Sequence, residues 1–519
     1  MELIKKRIHY VREGKKIFDQ FYVDEEYNVP EAKEDVRRIV DTGTELKIEE
    51  ICPVENYVRI TGKLYFRILY LNVSSDPKPG VLEGKLPFEE MVYAENQEGE
   101  EFYVQNVRIE FTPSLIHSRK LSLRAMVELE VGREKLVDEE TVTDAEGDVP
   151  LYKKMKKVQL LQLEVTKKDT YRIKEEITIP GTKESIGQIL FTDISERKLE
   201  LRPGQDELIV RGELFLFCMY LSGDEKPDWI SQTIPYEGRI PCEGISEEMY
   251  FSIRHTMEDT LTDLRMDEDG EMRILGIEGT LALHMNFYRE ESVELLEDLY
   301  SLQKQCLFDT TEVVCEELLM QNQSKCKVTE RLSLPELKTD VLQILHARGA
   351  IQVEHADRTG EGIRVEGILH LSFLYLRGDD AEPYGSWQGM IPFEHQIECK
   401  EMPEETVYNM EQHIEQLQIT LVGSESVEIK GILTFDTFLR RPVKVWTMEN
   451  VREEPLDLEQ LEKRPSIVGH IVQRGEDLWQ LAKQYMTTKE GIMEVNGMQN
   501  ENVKEGDKLL IFKENMSIL

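Results

Sequence analysis

Val58-Arg-Ile-Thr-Gly-Lys-Leu-Tyr-Phe-Arg-Ile-Leu-Tyr-Leu71 decides the reading of this chain, because it occurs three times. It returns as Leu208-Ile-Val-Arg-Gly-Glu-Leu-Phe-Leu-Phe-Cys-Met-Tyr-Leu221 and as Ile363-Arg-Val-Glu-Gly-Ile-Leu-His-Leu-Ser-Phe-Leu-Tyr-Leu376. Gly62, Gly212 and Gly367 hold one place in the three copies, and Tyr70, Tyr220 and Tyr375 another. In the first copy Val58, Ile60, Leu64, Phe66, Ile68 and Tyr70 alternate with Arg59, Thr61, Lys63 and Arg67. A period of two over that length predicts a long strand, or a tight hairpin, with one buried face. The glycines share the phase of the buried face. That points to a bulge, a bend or a close backbone approach, as at the corner of a sandwich or barrel.

Two further landmarks keep step with the repeat. Upstream stand Val29-Pro30, Ile179-Pro180 and Leu334-Pro335, each at the same distance before its glycine. Downstream stand Leu86-Pro-Phe-Glu89, Ile234-Pro-Tyr-Glu237 and Ile391-Pro-Phe-Glu394. Later strands close the copies at Leu121 to Val131, Ile274 to Leu283 and Val427 to Phe438. The spacing is far longer than a solenoid unit, so a whole domain is triplicated. Each copy reads as an antiparallel sandwich or partly closed barrel with little helix; Ala32, Val36, Ile39 and Val40 allow a short helix or turn at most. The fold class is mainly β, with repeats over 17–135, 158–290 and 313–440. Charged connectors follow at 136–157 and 291–312, where Leu295, Leu296, Leu299 and Leu302 suggest a connecting helix. Pro442, Pro455 and Pro465 among many charges make 441–466 read as a linker.

Residues 467–514 read as a small β-α-α-β module. His470-Ile-Val472 is a short strand. Asp477 caps a helix with Gln480 at the capping-box position, and Leu478, Leu481, Ala482 and Tyr485 form its apolar stripe. Thr487-x-x-Glu490 opens a second helix carrying Ile492, Met493 and Val495, and Asn496-Gly497 ends it. Gly506-Asp507 then turns into the strand Lys508-Leu-Leu-Ile-Phe512.

The whole composition narrows the function. The chain has 519 residues, with 63 Lys and Arg against 101 Asp and Glu, a net charge of −38. That field repels phosphate backbones and anionic lipid surfaces, so nucleic acid is not expected as a partner. The basic set Lys5, Lys6, Arg7, Arg12, Lys15 and Lys16 reads as a solvated end of the first domain. The start lacks the apolar core of a signal peptide, and no stretch is apolar enough to span a bilayer. The seven cysteines are scattered without a Cys-x-x-Cys pair, which suits reduced thiols in a cytosol and no metal centre. No nucleophile elbow, zinc-protease, Walker or dinucleotide motif occurs, and His117, His255 and His284 stand singly among strand residues. Asp267-Glu-Asp-Gly-Glu271 and Arg377-Gly-Asp379 read as turns. No catalytic, cofactor or metal residue is therefore expected, and the chain reads as non-enzymatic.

The module resembles the LysM family. Val472, Gly475, Leu478, Trp479, Leu481 and Ala482 match its opening run, Asn496 its later asparagine, and Gly506, Leu509 and Ile511 its closing run. Glu476-Asp477 stands where the family has Asp-Thr, adding charge at the rim of the sugar groove. The candidate partner-binding residues are Gly475, Glu476, Asp477, Leu478, Trp479, Met498 and Asn500, with Leu478 and Trp479 as anchors. Three repeats, a linker and one LysM resemble a SipL-type spore coat morphogenetic protein with SPOCS domains. The resemblance implies a mother-cell protein at the forespore surface, a scaffold for coat assembly whose LysM binds the coat ATPase SpoIVA. The alternative is a wall protein whose LysM binds peptidoglycan.

Overall fold

A computed structural model of the chain describes residues 1–334, 337, 341–423, 425–457 and 465–513, so Pro335 lies outside the described residues. Repeat 1 runs through β1 (Glu2–Glu13), β2 (Ile17–Asn28), β3 (Val36–Val54), β4 (Tyr57–Asn72), β5 (Pro79–Tyr93), β6 (Glu101–Phe111), β7 (Ser114–His117) and β8 (Lys120–Glu146). Repeat 2 runs through β9 (Tyr152–Thr178), β10 (Ile186–Pro203), β11 (Glu207–Ser222), β12 (Pro227–Pro241), β13 (Tyr250–Met266) and β14 (Met272–Tyr300). Repeat 3 runs through β15 (Lys304–Ser333), β16 (Val341–Thr359), β17 (Gly362–Arg377), β18 (Tyr384–Glu398), β19 (Val407–Leu421) and β20 (Ser426–Pro455).

The three quoted stretches are the middle strands β4, β11 and β17 of three-stranded antiparallel meanders. Gly62 stands opposite Phe88, Gly212 opposite Tyr236 and Gly367 opposite Phe393. The glycine and Pro-Phe/Tyr-Glu landmarks are therefore two halves of one cross-strand contact. A Cβ on Gly62 would lie 2.8 Å from the Phe88 ring and 2.3 Å from the Lys47 carbonyl, so only glycine lets the aromatic fold across the strand. The pairing register slips opposite each glycine, between Ile48 and Glu50, Arg197 and Glu200, and Val353 and His355. The expected bulge thus sits on the neighbouring strand.

A second sheet covers each meander, built on β8 with β2, β6 and β7, on β14 with β9 and β13, and on β20 with β15 and β19. Leu208, Leu214 and Leu216 of the meander meet Ile173, Leu275 and Leu281 of the facing sheet in one buried core. Each repeat is an open sandwich rather than a barrel.

The second sheets continue past the sandwiches as two-stranded ribbons. β1 pairs with Glu134–Glu146 of β8, the start of β9 with the end of β14, and the start of β15 with the end of β20. The equivalent residues Ile8, Val158 and Val313, with Tyr10, Leu160 and Cys315, bury themselves in one cluster. Val40, Leu190 and Leu345, with Leu69, Met219 and Leu374, meet in a second. Equivalent side chains converging twice place the repeats around a pseudo-threefold axis. Polar ties cross the seams: Arg254 to Glu134 at 2.7 Å, the Phe251 N–H to Gln321 at 3.0 Å, and Arg440 to Glu13 at 3.1 Å.

This closure corrects several sequence expectations. The connectors 136–157 and 291–312 are largely ribbon strand. Leu295, Leu296 and Leu299 are strand, not helix: the register slips between Leu296 and Asp298, shifting the period-two phase so that the buried leucines imitate helical spacing. The expected linker is strand as far as Pro455. Pro442 pairs with Glu316 beyond the reach of β19, whose first residue, Val407, stands opposite Arg440, so there is no third strand at Pro442 to need its missing N–H. Residues 458–464 of that linker lie outside the described residues. The basic N-terminal residues are not a free end: Lys5 pairs with Glu140, Lys6 with Glu291 and Lys16 with Glu130. After Pro30 comes a turn.

Candidate partner-binding site

The C-terminal module pairs β21 (Ile467–Ile471) with β22 (Lys508–Phe512) and lays two short helices, α1 (Leu478–Tyr485) and α2 (Lys489–Asn496), against one face of that ribbon. The capping box at Asp477 and Gln480 forms, with the Gln480 N–H 2.7 Å from the Asp477 carboxylate. The second helix is capped by Thr488, one residue later than expected, because its hydroxyl reaches the Gly491 N–H at 2.9 Å. Gly497 closes α2 at φ 63°, a left-handed position that glycine occupies without strain. The Asn496 side chain donates to the carbonyl and accepts from the N–H of Leu510, both at 2.8 Å, so it seals the free edge of β22.

One face of α1 rests on the ribbon of repeat 2. Trp479 is 6% exposed, and its indole N–H donates to Asp298 at 2.7 Å. Its ring meets Tyr300 edge-on with centroids 4.9 Å apart. Lys483 reaches the other oxygen of Asp298 at 2.6 Å, Lys154 approaches Asp477 at 3.3 Å, and the Tyr300 hydroxyl donates to the Thr487 carbonyl at 2.9 Å. The module is thus docked on the repeats rather than hung from them.

Docking alters the predicted anchors. Leu478 lies in the module's own core and Trp479 in the docking contact, so neither presents free surface; the geometry corrects that expectation. Asp477 is divided between its cap and Lys154. Glu476 binds the His470 ring and the Gln473 N–H, both at 2.7 Å, which hold its carboxyl below the usual range. Gly475 and Asn500 are exposed, and Met498 is half-buried against the core.

The surface that sequence reasoning missed is the outer face of the β21–β22 ribbon. Ile467, Ile471, Leu510 and Phe512 are 54, 53, 42 and 39% exposed there, while Leu509 and Ile511 on the other face are buried in the core with the helices. The signal was present: in Lys508-Leu-Leu-Ile-Phe512 every residue but the first is apolar, so alternation must leave some outward. Among the described residues no group of three or more His, Cys, Asp or Glu is placed to hold a metal ion, and no helix is long and apolar enough to cross a membrane.

The SipL SPOCS-domain family model matches residues 35–112, 185–265 and 340–422, and the LysM-domain model matches 470–512. The chain has the SipL-type architecture. Each SPOCS match spans a meander and the strand after it, while β2, β8 and their equivalents, which close the sandwich, lie outside it. SipL-type architecture marks a sporulation-related protein carrying a module of the peptidoglycan-binding type. No curated protein and no solved structure matches the chain.

Proposed function

We propose that this SipL-type chain is a non-enzymatic scaffold for spore envelope assembly, made in the mother cell and held at the forespore surface. Its LysM recruits a coat protein, and the resemblance names the ATPase SpoIVA. The observation that carries this reading is the open apolar face of the LysM ribbon. Four large apolar side chains on one flat face suit a protein partner, whereas sugars need convergent hydrogen-bonding groups. Loss of Ile467 and Phe512 should therefore weaken SpoIVA binding without unfolding the module, since both point away from its core. The test measures binding of purified SpoIVA to the full chain and to Ile467→Ser and Phe512→Ser variants. A loss of tenfold or more is expected for a central contact. Unchanged binding by both variants would sink the reading. A fluorescent fusion should decorate the forespore, and a fusion found only in growing cells refutes the placement.

The LysM match itself favours the second reading, for which the glycan would be held between the loops Gly475–Leu478 and Met498–Val503. Retention on purified peptidoglycan, abolished by changing Asn500 but not Ile467, would favour that alternative.

A further inference from the structure

Repeat 1 carries an exposed aromatic cluster that the other repeats lack. Tyr57 and Tyr93 are register partners near the open end of the β3–β4–β5 sheet, and their rings meet edge-on at 5.5 Å. Val54 lies beside Tyr57 on β3, and Met91 stands opposite Arg59. Tyr57 is 42% and Tyr93 57% exposed, and Val54 and Met91 are exposed on the same face.

The repeats supply their own control. In repeat 2 the matching pair is Glu207 opposite Pro241, with Arg239 bonded to Glu207 at 2.6 Å. In repeat 3 it is Gly362 opposite Glu398, with Gln396 opposite Arg364. The same strands form in the same pairing without aromatic residues, so the fold does not require them. Exposed apolar surface carries a solvation cost, and its concentration in one copy calls for a role outside the fold.

The rim identifies what covers it. Glu49 and Glu50 are paired with Lys63 and Arg59. Glu55 lies in the turn before Tyr57, Glu89 two residues before Met91 on β5 and Glu95 two residues after Tyr93; all three are exposed and without an ion pair among the described residues, whereas Arg59, on the same face opposite Met91, is engaged by Glu50. Two copies of this face would bring those carboxylates together, and a surface of anionic lipid is repelled in the same way. Edge-on tyrosines offer no flat platform for a sugar ring.

We propose that this face of repeat 1 docks a segment of a partner protein in which apolar side chains are interleaved with Lys or Arg. The apolar side chains cover Tyr57, Tyr93 and Met91, and the cations meet Glu55, Glu89 and Glu95, giving complementary charge at a small contact. The surface lies in a different domain from the LysM face and stands or falls independently of it.

The test is fluorescence anisotropy of the full chain with three labelled peptides: alternating Leu and Lys, alternating Leu and Glu, and alternating Ser and Lys. The Leu–Lys peptide should bind saturably and the other two at least tenfold more weakly. Tyr57→Ser/Tyr93→Ser should lower Leu–Lys affinity about tenfold or more, as for a central aromatic contact. Glu55→Gln/Glu95→Gln, which leaves the sheet untouched, should lower it several-fold and flatten its salt dependence. Phe18→Ser, an exposed aromatic on the opposite sheet, should change nothing. No saturable binding, equal binding of the Leu–Glu peptide, or an equal loss with Phe18→Ser overturns the proposal. So does a dimer of the wild-type chain that the tyrosine variant abolishes, which assigns the face to self-association.

Discussion

Replacing Asp298 by alanine should free the LysM domain from the three repeats. One carboxylate carries two links, accepting the Trp479 indole N–H at 2.7 Å and pairing with Lys483 at 2.6 Å. A hydrogen bond to a charged acceptor contributes about 1.5–3 kcal/mol, and its loss leaves a buried indole N–H without its acceptor. The Lys483 pair is partly exposed and contributes about 0.5–1 kcal/mol after solvent screening. Together the change should cost docking about 2–4 kcal/mol, or roughly 30- to 1,000-fold in the docking equilibrium. Hydrogen exchange is the assay, because the four tryptophans blur fluorescence. In Asp298→Ala the docked segment, Trp479 to Thr487, which comprises most of α1 and the two residues after it, should lose protection while the repeats keep theirs. Lys483→Met should produce a much smaller effect, since it spares the indole bond. In a double-mutant cycle, Trp479→Phe and Asp298→Ala should be strongly non-additive. Equal protection in Asp298→Ala and Lys483→Met would falsify the assignment of the indole bond as the principal link.

Further outcomes follow from the packing. Gly62→Ala should destabilise repeat 1 by about 2 kcal/mol or more, because its Cβ meets the Lys47 carbonyl, whereas Gly181→Ala, with open space around it, should be near neutral in thermal melts. His284 accepts from Arg254 and is held neutral by burial and by that guanidinium, its pKa lowered to about 4. The unfolded chain therefore binds more protons between about pH 6.5 and 4, so stability should fall as pH drops through that window. His284→Asn should flatten that part of a denaturation-against-pH curve. Burial pushes the Cys218 and Cys315 thiols up to about 12, so neither should react with a thiol reagent until the chain unfolds. A fragment ending at 457 should fold as three sandwiches, whereas one ending at 440 strips β20 from its ribbon, exposes Val313 and Cys315, and should aggregate in size-exclusion chromatography.

The triplication, the β class and the LysM module were legible in the sequence because their signals are local. Period-two alternation, glycines in register, and cap residues at fixed offsets depend on neighbours a few positions away. What each landmark does was not legible: that Gly62 exists to admit Phe88 depends on a pairing across a hairpin. The threefold closure was still further from view. Ile8, Val158 and Val313 look like ordinary strand residues, and only their meeting in one cluster turns apparent connectors into ribbons. Local pattern also misled where a bulge reset its phase, as at Leu295 to Leu299, and where Pro442 looked like a break although it pairs with one strand only, beyond the start of β19. Trp479 shows the limit most plainly. An aromatic at the start of an amphipathic helix can face its own core, a partner or a neighbouring domain, and the choice was made by Asp298, 181 residues earlier in the chain.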